Sequence, residues 1–221
     1  MNKEMTTYLL RAAAILKTEV NPLFFPAVIG VLFFLPDTPN QPAGFLFFLP
    51  MVLLFIVYPL IYGRYAEIIN NNKRIAYSQI FRAHWLNFFV VSMILGIPLL
   101  FFSILGLNMG SGVLEFNKIL SIVIDILSIY IFPLVFLLKK RVQSISLGIK
   151  CLLGNFSFSI PLIFLTIIPS VLNSFIAYPQ GNLALSLPDF ILSYVFWIVS
   201  LVFDFVIFVA ASLILKEKLL P

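Results

Sequence analysis

The stretch FNKILSIVIDILSIYIFPLVFLLKKR, residues 116–141, decides the fold class. From Phe116 to Leu138 the side chains are apolar with few interruptions. Wound as an α-helix, a run of about 20 such residues matches the ~30 Å of bilayer hydrocarbon. The run stops at Lys139, Lys140 and Arg141, three cations that belong in water. Inside it stands Asp125, a residue expensive to bury in lipid. Span, edge and candidate site are therefore all written into one segment.

The rest of the chain repeats this composition. Of 221 residues 62% are hydrophobic and only 10% charged, with 25 Phe and a mean hydropathy of +1.10. Soluble domains hold about half apolar and a quarter charged residues, so too little polar surface exists here to cover a water-facing exterior. In hydrocarbon every backbone group must be satisfied internally, which leaves helix bundles or closed barrels. Apolar runs of about 20 residues exclude the alternating ten-residue strands of a barrel. The expected fold is all-α, a polytopic bundle forming a single integral membrane domain over residues 1–221.

Six spans follow, at about 20–36, 43–63, 85–107, 116–138, 155–176 and 190–214. Lys and Arg collect on the cytoplasmic side of membrane proteins. Of the 14 basic residues only Lys118 falls on one side of these six spans, and the others, from Lys3 and Arg11 to Lys216 and Lys218, share the opposite side. This places both termini in the cytoplasm and the chain in a cytoplasmic (inner) membrane. Residues 5–18, 75–84 and 142–153 mix apolar and basic residues as amphipathic interfacial helices do. The N-terminal stretch lacks a small-residue cleavage site behind its apolar run, so the first helix is expected to remain in the mature protein.

Two of these segments match at an offset of 68. Ser78, Phe81, Arg82, Ala83, Asn87 and Phe88 align with Ser146, Ile149, Lys150, Cys151, Asn155 and Phe156. An internal duplication and chance similarity in low-diversity apolar sequence both account for the match. Through RYAEIINNNKRIAYSQIFRAHWLNF and KKRVQSISLGIKCLLGNFSF the chain resembles bacterial six-helix membrane proteins related to the membrane domain fused to some glycerophosphodiester phosphodiesterases. The resemblance implies an architecture. It implies no hydrolytic activity, because the phosphodiesterase domain has no counterpart here.

The candidate intramembrane polar site comprises Asp125, Asp204, Ser121, Ser128, Ser200 and Asn155. Glu115, Lys118, Ser121, Asp125 and Ser128 recur every three or four residues and draw one polar stripe down the fourth span. Asn155, Ser159, Thr166, Ser170 and Asn173 do so on the fifth, and Ser193, Trp197, Ser200 and Asp204 on the sixth. The three spans could enclose a polar seam. Two readings stand for the acids: neutral side chains that hydrogen-bond a neighbouring helix, or a site for a proton, cation or solute. Prolines in five of the six spans, among them Pro59, Pro98, Pro133 and Pro169, raise the further possibility of kinks.

The remaining candidates carry less. His84, the sole histidine, stands beside Trp85 and reads as a polar residue at the interface, with no second ligand at helical spacing for a metal. Cys151 is the sole cysteine, which excludes an intrachain disulfide and Cys-pair redox motifs. Lys73, Arg74 and Lys139–Arg141 suit contact with anionic headgroups. There is no GxSxG, HExxH or phosphate loop. The expectation is thus a non-catalytic membrane component without cofactor or nucleic-acid partner. It would be a transport-related subunit or an assembly accessory, contacting lipids and either other membrane proteins or copies of itself. The alternatives are a permease subunit of an ABC-type exporter and a membrane-embedded enzyme of lipid metabolism.

Overall fold

A computed structural model describes residues 3–36, 45–71, 75–109, 111–173, 175–177 and 184–219. Among them the chain forms eight α-helices and no strand: α1 (Lys3–Thr18), α2 (Phe24–Val31), α3 (Phe45–Asn71), α4 (Tyr77–Met109), α5 (Ser111–Leu138), α6 (Gln143–Gly154), α7 (Phe156–Asn173) and α8 (Leu187–Ile214). A π-type turn, Leu215–Leu219, prolongs α8. Four helices are long and apolar enough to cross a membrane, and the number rises to six if each of two bent pairs counts as one span. Large apolar side chains such as Phe48, Leu100, Ile104, Phe164 and Leu187 stand exposed on the outside. An apolar exterior of this extent suits lipid and not water.

The core is organised around α8. A helix that is apolar all round must be buried, and from Ile207 to Leu215 every residue of this one is. Covering its end is α1, whose Met5, Tyr8, Ala12 and Leu16 form one buried face while Leu10 on the other side is exposed. Arg11 grips Glu217 with both guanidinium nitrogens at 2.9 and 2.7 Å, and Lys218 reaches Glu4. Lys216 donates to the carbonyls of Ile69 and Asn70 at the end of α3. The α1–Glu217 pair is partly exposed and contributes at most about 1 kcal/mol, so these contacts fix register more than they hold the fold.

Two bends shape the bundle. Between α1 and the segment Asn21–Phe34 the chain turns by 77°, and between α6 and α7 by 109°. At the second, Asn155 leaves the helical region and its side chain caps the carbonyl of Cys151 at 3.1 Å. The α6 helix does not lie apart from the bundle. It folds back along α5, and Gly148 makes the approach possible: a Cβ there would lie 2.6 Å from Ile131 Cγ1 and 2.9 Å from its Cα and backbone nitrogen. Backbone cannot yield as a side chain can. Gly148→Ala is therefore expected to lift α6 from α5 and lower stability by about 1–3 kcal/mol in thermal unfolding of the detergent-solubilised protein. Gly154→Ala, at a position with nothing within 4 Å, is the matched control and should cost none of this.

Three expectations from the sequence need revision here. Residues 75–84 do not form a separate interfacial helix; from Tyr77 they are the first turns of α4. The two matched segments consequently differ in local structure, because the chain runs straight through Asn87 and breaks at Asn155. Asn87 serves another purpose. Its amide donates to the carbonyl of Lys139 at 3.2 Å and accepts from Arg141 Nε at 2.8 Å, holding the α5–α6 turn, where Lys139 has a φ of 55°. Last, His84 is wholly buried among the helices, near the Lys139 end of α5. Gly63 of α3 leaves room for Ile80 and His84 together, since a Cβ there would lie 2.4 Å from Ile80 Cγ2 and 3.2 Å from His84 Cδ2. The helices continue through Pro50, Pro59, Pro98, Pro133, Pro161 and Pro169. Asp37, Lys73 and Arg74 lie outside the described residues.

Candidate functional site

Residues of the α3, α5, α7 and α8 helices line a half-open cavity of about 280 Å³. Each long wall is one helical face. From α5 come Asp125, Ser128, Ile129, Phe132 and Pro133, which are positions i, i+3, i+4, i+7 and i+8 of a single stripe. Thr166, Pro169 and Ser170 on α7, and Asp204, Ile207 and Phe208 on α8, repeat the i, i+3, i+4 spacing. From α3 the ring of Tyr62 completes the lining.

Both carboxylates are deep in the bundle. Asp125 is 13 residues from the end of α5 and Asp204 is 10 from the end of α8, or ~20 and ~15 Å along their axes. Asp204 is an exposed residue in buried company, for Ser200, Leu201, Phe205, Ile207 and Phe208 around it are each 6% exposed or less. Its carboxyl lines the cavity. Among the described residues Asp204 has no hydrogen-bond or ion-pair partner. Asp125, half-buried, has Ser170 of α7 within hydrogen-bonding reach. No Lys, Arg or His lines the cavity.

At one side the polar lining gives way to rings. The Tyr62 centroid lies 4.3 Å from that of Phe208, 5.2 Å from Phe205, 5.8 Å from Phe136 and 6.4 Å from Phe132, whose ring it stacks against at 16°. Behind this plug a second polar group begins. His84 packs 5.1 Å from Phe136, and its Nε2 stands 3.5 Å from Glu67 Oε1, which also faces Lys139 Nζ at 3.4 Å. Asn71 donates to the other oxygen of Glu67 at 2.7 Å. The Nδ1 of His84 has no hydrogen-bond partner.

Of the six residues singled out from sequence, Asp125, Ser128 and Asp204 meet at the cavity. Ser200 is buried one turn from Asp204 with its hydroxyl unpartnered, and Ser121 lies half-buried one turn outward of Asp125. Asn155 is elsewhere, at the α6–α7 bend. The outer members of the α5 stripe, Glu115 and Lys118, are exposed. Reading three spans as the seam missed Tyr62 and the ring wall. A Tyr58, Tyr62, Tyr65 series in an apolar helix was the available signal, because a phenol in hydrocarbon seeks a polar neighbour. Among the described residues no group of three His, Cys, Asp or Glu side chains is placed to hold a metal. Comparison with protein-family models, with curated proteins and with solved structures returned no match to this chain.

Proposed function

We propose that this protein is a non-catalytic, transport-related membrane component that takes a small solute into the cavity beside Asp125 and Asp204. The cavity carries the reading. An assembly accessory needs an outer contact surface and is content with a dry, filled core, whereas a transport component needs room at depth with polar groups facing it. Here two acids with no basic partner among the described residues face a void of about 280 Å³ at bundle depth. Keeping two acids there costs at least ~2.5–3.5 kcal/mol each on insertion scales, an expense that packing alone does not require. We place the chain in a cytoplasmic membrane with six spans and both termini in the cytoplasm, on the strength of its basic residues.

Thiol labelling tests this directly. In a Cys151→Ser background, Ser128→Cys and Thr166→Cys place single thiols on the cavity wall, and a membrane-impermeant methanethiosulfonate reagent is applied from either side. Both thiols should react within minutes from at least one face. Protection from both faces, with Val209→Cys in the buried core equally inert, would mark a dry core and favour the assembly role. Tags at either terminus should be reached from the cytoplasm alone, and access from outside would break the orientation.

A further inference from the structure

We propose that the solute is a small organic cation, an ammonium compound with a compact apolar body; this deepens the reading of the same cavity and rests on it. The first support is that the lining accepts hydrogen bonds and has few to give. Ser128 Oγ commits its proton to the carbonyl of Asp125 at 2.7 Å, and Thr166 Oγ1 commits its own to the carbonyl of Leu162 at 2.9 Å. What these hydroxyls offer the cavity is lone pairs. Ser170, beside Asp125, and the phenol of Tyr62 are the remaining hydroxyls of the wall. Two carboxylates added to such a lining make a chamber that wants N–H donors or positive charge.

The second support is charge. A buried ion is tolerated when it is paired, and among the described residues no basic side chain lines the cavity to pair with either acid. A cationic ligand would supply the missing charge, and an anionic one would face two acids with nothing to offset them. The third support separates an organic cation from a metal ion. Tyr62, Phe132 and Phe208 line the cavity beside the acids, and an aromatic lining favours an ammonium compound with an apolar body over a strongly hydrated metal ion. Size agrees. At ~30 Å³ per water the cavity holds roughly nine waters, which is room for a ligand of under about ten heavy atoms and far more than a dehydrated metal ion fills.

Choline and its uncharged isostere 3,3-dimethylbutan-1-ol test the assignment with one shape and two charges. Titrated calorimetrically into the detergent-solubilised protein, choline should bind at a single saturable site at least tenfold more tightly than the isostere. Equimolar sodium or potassium should leave that binding unchanged. Asp204→Asn and Asp125→Asn, each checked for an unaltered size-exclusion profile, should each weaken choline by tenfold or more. Equal binding of the isostere, displacement by sodium or potassium, or no binding of choline or of tetramethylammonium would each overturn the cation assignment. The thiol labelling is independent of all these outcomes. Reactive cavity thiols without ammonium binding would leave the transport reading standing and remove only the ligand class, whereas inert thiols would remove both.

Discussion

Asp204→Leu is expected to make the protein more stable and to abolish solute binding. The acid lines the cavity, with no hydrogen-bond or ion-pair partner among the described residues. Placing a carboxylate in mid-membrane costs ~2.5–3.5 kcal/mol relative to an apolar residue, and Leu would fill part of the void with side chain. A gain of about 2 kcal/mol or more is therefore expected in thermal or denaturant unfolding in detergent. Asp204→Asn behaves differently, because the amide keeps the shape and the hydrogen-bonding capacity but has no charge. It should unfold close to wild type and lose the cation. A Leu variant less stable than wild type would show that Asp204 holds the bundle together through bonds it makes in the membrane. The acid would then be packing glue and the site reading would fall.

The opposite change is expected at Tyr62, where Ala should cost about 3–5 kcal/mol, the range for emptying a large aromatic site. The ring touches those of Tyr58, Phe88, Phe132, Phe136, Phe205 and Phe208, at centroid distances of 4.3 to 6.4 Å, so few side chains leave a larger hole. The hole would also have a direction. Tyr62 stands between the acids and Phe136, and Phe136 packs on His84, so removing it extends the cavity toward the Glu67–His84–Lys139 group. Tyr62→Phe keeps the plug and should keep most of the stability. Measured unfolding that ranks Ala far below Phe supports the ring as the separator. Equal stability of the two would mean that neighbouring rings close over the gap.

The sequence alone determined the class of structure, because composition and run length leave hydrocarbon no other solvent to be and helices no competitor. It also determined which faces matter. A 3.6-residue period puts Asp125 and Ser128 on one stripe, Thr166 and Ser170 on another and Asp204 on a third, whatever the helices later pack against. Only the tertiary structure decided where those stripes went. Whether Asp204 faces lipid, a neighbour or a void depends on the positions of three other helices, and periodicity along one helix carries no such information. The same limit hid His84 and Tyr62. Gly63 leaves the space against which Ile80 and His84 pack, and the rings around Tyr62 come from α4, α5 and α8 as well as its own helix, all relations between distant segments. The two matched segments part in local structure for a related reason. Asn87 and Asn155 share a residue type and a spacing, but the bend at Asn155 accompanies α6 folding back on Ile131 through Gly148, while Asn87 stays helical and clamps the turn at Lys139. Local sequence set each helix and its polar face, and packing chose which of those faces would meet.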